Sequence, residues 1–180
     1  MLQRLLAKET GRCLVFARTK RGTEKLARNL AREGFTATMI HGDRSQSQRT
    51  AALTGFQQGR YRVMVSTDLA SRGIHVQDIA HVINYDLPEI AENFIHRVGR
   101  TGRAGKMGVA STLFGRDQRS ELLQLERTLG IRMERMQADT DFPARPTRDQ
   151  IDLERAESAP VNTSRMARLP GEVLQAHFEN

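Results

Sequence analysis

Short apolar runs alternate with amphipathic helical stretches through most of this chain, and that alternation leaves few folds open. Cys13–Phe16, Thr36–Ile40, Val63–Ser66, His81–Tyr85 and Val109–Phe114 read as strands, several of them buried on both faces. Between the first two lies a helix over Arg21–Arg32, with Leu26, Ala27 and Leu30 on one face and Gly34 at its end. Ser45 is placed to cap a second helix, with Gln48 completing a capping box and Ala52, Leu53 and Phe56 leading to Gly59. Pro88 turns the chain into a helix carrying Phe94, Ile95 and Val98, and Gln118–Leu129 is amphipathic through Leu122, Leu125, Glu126 and Leu129. Strands separated by helices require crossover connections. The expected architecture is therefore α/β: a three-layer sandwich with a predominantly parallel sheet and helices on both faces.

The pattern holds over residues 1–135, which form the expected domain. Over 136–180, Asp139, Asp141, Pro143, Pro146 and Pro160 interrupt any period. This part reads as a tail, partly disordered or with short helices near Gln150–Glu157 and Gly171–Phe178.

Composition narrows the functional classes. The hydrophobic share of 38% is enough for a core, and no apolar run is long enough to cross a bilayer. Lys8, Glu9 and Arg12 break the stretch that a secretory leader would need. A mitochondrial presequence over Leu2–Arg12 is less favoured, since that segment runs straight into the first strand. Cys13 is the only cysteine and sits among Leu14, Val15 and Phe16, so a buried core role and a reducing cytoplasm are expected. The five histidines have no ligand spacing with cysteines or carboxylates, and no metal site is expected. The net charge of +7 is uneven, with the basic excess in the strand-and-helix part and an acidic excess after Asp139. A globular part this basic suits a polyanionic partner.

Ligands of such sheets gather beyond the carboxyl ends of the strands, and polar clusters follow three strands here: Arg18-Thr19-Lys20, His41-Gly42-Asp43 and Thr67-Asp68. The densest cluster is His96-Arg97-Val98-Gly99-Arg100-Thr101-Gly102-Arg103. Arginine presents a rigid fork that matches phosphate oxygens and keeps its charge, and glycine lets chains approach closely. The alternative for this stretch is a solvated basic loop. Ser66 to Ile74, with Arg72-Gly73, suits sugar-phosphate backbone held by hydroxyls and N–H groups, and equally an ordinary strand-to-helix turn capped by Asp68. His41 to Arg49 places a helix N-terminus and a guanidinium where an anion would bind, or simply caps the helix. The run from Gly102 to Gly108 is no phosphate-binding P-loop, because Met107 follows Lys106.

In this order and spacing, these stretches resemble the second, C-terminal RecA-like domain of DEAD-box ATP-dependent RNA helicases. Leu14 to Lys20 resembles the family's motif IV, and His41-Gly42-Asp43 with Gln46 and Arg49 resembles motif IVa. Ser66 to Gly73 resembles motif V, His96 to Arg103 resembles motif VI, and His81 to Pro88 is typical of the stretch between them. The resemblance covers roughly residues 1–135. It implies that Arg100 and Arg103 are arginine fingers reaching ATP phosphates across an interdomain cleft. It places His96, Arg97, Asp68, Gly73 and His75 on the nucleotide side. It makes Arg49, Thr67, Thr19, Arg72 and Gly42 contacts to RNA backbone.

The family usually has Asp where this chain has His75, just after Arg72-Gly73-Ile74. Histidine can hydrogen-bond a ribose but supplies no fixed negative charge, so altered ATP affinity is expected. The family's P-loop, Asp-Glu-Ala-Asp box and Q motif do not occur here. An N-terminal RecA-like domain, in cis or in trans, would hold the ATP with its Mg²⁺, and the chain alone is expected to be inactive. It is accordingly read as a fragment, an excised piece or one part of a split protein. A non-catalytic RNA- or protein-binding module derived from a helicase is the competing function, and a DNA-directed relative fits the wording of His96 to Arg103 less well. The motor reading requires the arginines before Ala104 to be aimed into a gap where a second lobe holds a triphosphate; burial of Arg100 and Arg103 in internal ion pairs, facing away from the edge where the strands finish, would overturn it.

Overall fold

The structure, a computed structural model, describes residues 1–71, 76, 78–102 and 108–136, and the backbone of 171–178. In chain order the elements are α1 (Leu2–Lys8), β1 (Arg12–Phe16), α2 (Lys20–Arg32), β2 (Ala37–Ile40), α3 (Gln46–Gln57), β3 (Val63–Ser66) and α4 (Asp68–Ser71). They continue with β4 (Ile79–Asn84), α5 (Ala91–Val98), β5 (Gly108–Gly115), a 3₁₀ turn over Arg116–Gln118, α6 (Arg119–Leu129), β6 (Glu134–Met136) and β7 (Gly171–Phe178).

The sheet runs β2-β3-β1-β4-β5-β7-β6. Its first five strands are parallel, and β7 pairs antiparallel with both β5 and β6. The register sets Ile40, Ser66, Phe16 and Asn84 level with one another, so four strands finish on one line. Alternate residues of β1 divide between two cores. Leu14 and Phe16 join Phe56, Ala70, Phe94, Val98 and Leu122 beneath α3 to α6. Cys13, Val15 and Ala17 join Leu5, Leu6, Ala27 and Leu30 beneath α1 and α2. Each fully buried large apolar side chain contributes about 1.5–3 kcal/mol.

Local chemistry explains the helix ends. Thr19 caps α2, its hydroxyl accepting from the Gly22 N–H at 3.0 Å. Ser45 and Gln48 form the reciprocal capping box of α3, at 3.3 and 3.1 Å. Gly34 leaves α2 at φ +87°, a conformation that favours glycine. α1, not among the expected elements, buries Leu2, Leu5 and Leu6 at helical spacing and is tied down by Arg62 Nη1 donating to the carbonyls of Leu6 and Glu9.

One expectation is overturned. Gly171–Phe178 forms a strand, not a short helix, and spans the whole of β5 from Gly108↔Phe178 to Gly115↔Gly171. The outer edge of β5 offers a full row of backbone donors and acceptors, and pairing with it satisfies every one of the segment's own groups on that side. The other suggested helix, at 150–157, lies outside the described residues. Among the described residues no helix is long and apolar enough to cross a membrane, and no cluster of three or more His, Cys, Asp or Glu could hold a metal.

Burial, followed by the nearby Glu9 charge, pushes the Cys13 thiol up to about 12. Only the thiolate is an effective nucleophile. Iodoacetamide at mildly alkaline pH should therefore leave Cys13 unmodified in the folded chain and alkylate it fully in denaturant, as read by intact mass. Fast stoichiometric labelling of the folded chain would contradict the assigned packing.

Candidate functional site

The helix after β1 packs on one face of the sheet and the segment after β3 on the other, so the two chains part at the carboxyl ends of these adjacent strands. Such a parting creates a crevice. The three clusters singled out in the sequence border it. Arg18, Thr19 and Lys20 are exposed, as are Gly42 and Asp43, while Thr67 is buried at 8% exposure and donates its N–H to the Ile40 carbonyl at 3.4 Å. Lys20 and Asp43 form an ion pair at 2.5 Å that ties the first loop to the second. The hydrogen bond from Lys20 holds the Asp43 carboxyl below the usual carboxylate range. The pair is thus complete above the ordinary Asp pKa and is lost as pH falls through that lowered value. Arg49 lies one turn into α3, half-buried. Among the described residues, the buried side-chain nitrogens and oxygens without a hydrogen-bond partner belong to His41, Arg44 and Arg49.

A second constellation centres on Arg97. Arg97 is 2% exposed. Nε and Nη2 donate to Asp68 Oδ1 and Oδ2 at 2.5 and 2.7 Å, a bidentate pair. Nη1 donates to Asn84 Oδ1 at 3.2 Å and to the Asp86 carbonyl at 2.7 Å. The Phe16 ring lies beneath the guanidinium at 5.1 Å. Asp68 and Arg97, both expected beside the nucleotide, are thus joined to each other. Asn84, Asp86 and Phe16 complete a cradle that the sequence reading did not assign. A signal for it was present: Asn84 interrupts an apolar strand, and a buried amide must find partners. Its Nδ2 donates to Thr112 Oγ1 at 3.0 Å.

Arg97 faces inward from α5 with Phe94 and Val98, while His96 is exposed and Ile95 is 57% exposed. Arg100 follows one turn later, half-exposed, its N–H donating to the Arg97 carbonyl at 3.1 Å and its Nε to the His96 carbonyl at 3.2 Å. The loop then leaves the edge where the strands finish. Thr101, 6% exposed, donates its hydroxyl to the Ile79 carbonyl at 2.5 Å, at the start of β4. Gly108, at the start of β5, packs so tightly there that an added Cβ would stand 2.3 Å from Gly102 N. Residues 96–102 therefore run along a flank of the domain, from the carboxyl end of β4 to its amino end. Arg72, Gly73, His75 and Arg103 lie outside the described residues.

A family model for the helicase conserved C-terminal domain matches residues 1–105. The chain is 39% identical over 166 residues to the DEAD-box ATP-dependent RNA helicase CshA of Geobacillus kaustophilus, an alignment covering 91% of this chain and 36% of the relative. The chain belongs to the DEAD-box helicases, as a C-terminal helicase domain. It spans only about a third of that relative's length. The helicase domain is also similar to the crystal structure of a DEAD-box protein from the hyperthermophile Methanococcus jannaschii, with 46% identity, a TM-score of 0.69 and coverage of 73% of this chain and 36% of that one. The C-terminal domain of the DEAD-box protein Dbp5 matches with 32% identity and a TM-score of 0.65, covering 72% of this chain and 76% of that one. The fold is the RecA-like α/β sandwich of these proteins.

The fit of Gly108 against the helicase domain's arginine loop is open to a direct test. Gly108→Ala has to push Thr101 and Gly102 away and should cost about 1–3 kcal/mol, the ordinary penalty of overpacking. The readout is a lower urea midpoint at unchanged slope. An unchanged midpoint would contradict the described packing.

Proposed function

We propose that this domain is the second half of an ATP-driven RNA-remodelling motor. In this reading an N-terminal RecA-like domain binds ATP with Mg²⁺, and the two halves close on ATP and RNA together. Arg100 and Arg103 then stabilise the charge on the transferring phosphoryl group. His96, Gly73 and His75 line the nucleotide side, and Asp68 and Arg97 hold that side in shape. Thr19, Gly42, Arg49, Thr67 and Arg72 grip RNA backbone, with little sequence selectivity because such contacts do not read bases. Contacts to 2′-hydroxyls favour RNA over DNA. Closure bends one RNA strand and separates a short duplex, and hydrolysis reopens the cleft and releases the product. The cytoplasm is the proposed compartment.

The observation that carries this reading is the bidentate Asp68–Arg97 pair. It joins the strand-end residue next to Thr67 to the helix turn that presents Arg100, so the proposed RNA contact and the proposed phosphate contact share one rigid support. The unpartnered nitrogens of Arg44 and Arg49 add to it. Buried donors without acceptors are rare, and a nucleic-acid phosphate at the amino end of α3 would supply them.

The chain alone should show no RNA-stimulated ATPase, and mixing it with, or fusing it to, a P-loop domain of the family should produce it. In the active mixture Arg100→Ala should lower kcat by on the order of 10³ or more while RNA affinity stays near that of the parent. Arg49→Ala should instead weaken RNA binding and reduce the salt slope by about one. Absence of turnover in mixture and fusion alike, with RNA binding retained, would favour the non-catalytic binding module.

A further inference from the structure

We propose that Asp86 is a positioning residue that relays the state of the RNA-facing strand ends to the arginine flank; the proposal rests on the motor reading above. Asp86 follows β4 by two residues and makes three bonds to three addresses. Its N–H donates to the Phe16 carbonyl at 3.3 Å, its carbonyl accepts from Arg97 Nη1 at 2.7 Å, and its carboxylate Oδ2 accepts from the Arg18 N–H at 2.7 Å. Arg18 directly precedes Thr19, the cap of α2. Arg97 in turn accepts from the Arg100 N–H through its own carbonyl.

A continuous path follows from these contacts. A shift of the loop that carries Thr19 and Lys20 pulls on the Asp86 carboxylate. The aspartate side chain has only two torsions, so little of that shift is lost before it reaches the residue's own backbone carbonyl. That carbonyl holds a guanidinium that is buried and bonded on its other sides to Asp68 and Asn84. A buried group held by four hydrogen bonds moves with its partners rather than adjusting alone, because interiors are close-packed. The helix turn that bears Arg100 follows. The Asp68 pair gives Thr67 one route to Arg97, and Asp86 gives the loop after β1 a separate one.

A purely local role for the carboxylate, as a cap on the loop after β1, makes a different prediction from a relay. Loss of a cap lowers stability and touches all activities alike. Loss of a relay leaves unstimulated turnover in place and removes the response to RNA.

The test uses the full chain fused to a P-loop domain of the family, with steady-state ATPase measured with and without a uridine oligonucleotide. Asp86→Ala should reduce the RNA stimulation of kcat about fivefold or more, the ordinary size of a coupling between two sites. Unstimulated kcat and the KM for ATP should stay within about a factor of two of the parent, well inside that coupling. Asp86→Asn keeps an acceptor for the Arg18 N–H and should restore most of the stimulation. The proposal fails if Asp86→Ala responds to RNA like the parent, if it loses stimulated and unstimulated turnover in equal proportion, or if Asp86→Asn behaves like Asp86→Ala. A parent fusion that hydrolyses ATP without any response to RNA, or not at all, overturns the motor reading and takes the relay with it. A parent that responds, beside an unaffected Asp86→Ala, overturns the relay alone.

Discussion

A guanidinium taken out of water costs several kcal/mol unless its N–H groups find acceptors. Arg97 meets that demand by drawing together four groups from three parts of the chain: the carboxylate of Asp68 after β3, the amide of Asn84 and the carbonyl of Asp86 at the end of β4, and the ring of Phe16 on β1. A buried ion pair is seldom kept for stability, since desolvation offsets much of its attraction and an apolar replacement often serves as well. What it provides is geometry. Two planar groups joined by two parallel hydrogen bonds allow little rotation or slip. In this domain that restraint falls between the loop after β3 and the helix turn before Arg100.

The site thereby acquires two directions. One is the line on which β2, β3, β1 and β4 finish, where Thr19, Gly42, Arg49 and Thr67 stand around the crevice between diverging chains. The other is the flank along α5, where Arg100 and Thr101 lead away to the amino ends of β4 and β5. Arg97 lies between them, touching neither surface and bonded towards both.

Much of this was legible from residue order. The five parallel strands are apolar runs and fall within a residue or two of their expected bounds, and the Ser45–Gln48 capping box could be read letter by letter; β6 was not expected. The three clusters after β1, β2 and β3 do share an edge, because a parallel sheet leaves its strand ends no other arrangement. Other features could not be read. Arg97 looks like one more surface cation in a basic run, and only the depth of α5 against the sheet shows it as interior. Ile95, apolar like Phe94 and Val98, is exposed, while Arg97 shares the inward face with those two at i, i+3 and i+4 spacing. The course of the arginine loop towards the strand starts depends on Thr101 finding the Ile79 carbonyl, a contact across 22 residues that no local pattern announces. Gly171–Phe178 joins the sheet through backbone groups, and side-chain periodicity carries little information about which edge will accept a strand.

Strand ends and arginine flank share a support only if Asp68 and Arg97 act as one unit, and a double-mutant cycle measures that directly. Urea unfolding of the chain with Asp68→Ala, Arg97→Ala and both together yields the interaction energy between the two side chains. A coupling of about 2 kcal/mol or more, with the double variant little worse than Arg97→Ala alone, is the predicted result. Additive effects, with coupling near zero, would show that the two groups stand together without holding each other, and the shared support for strand ends and arginine flank would not exist.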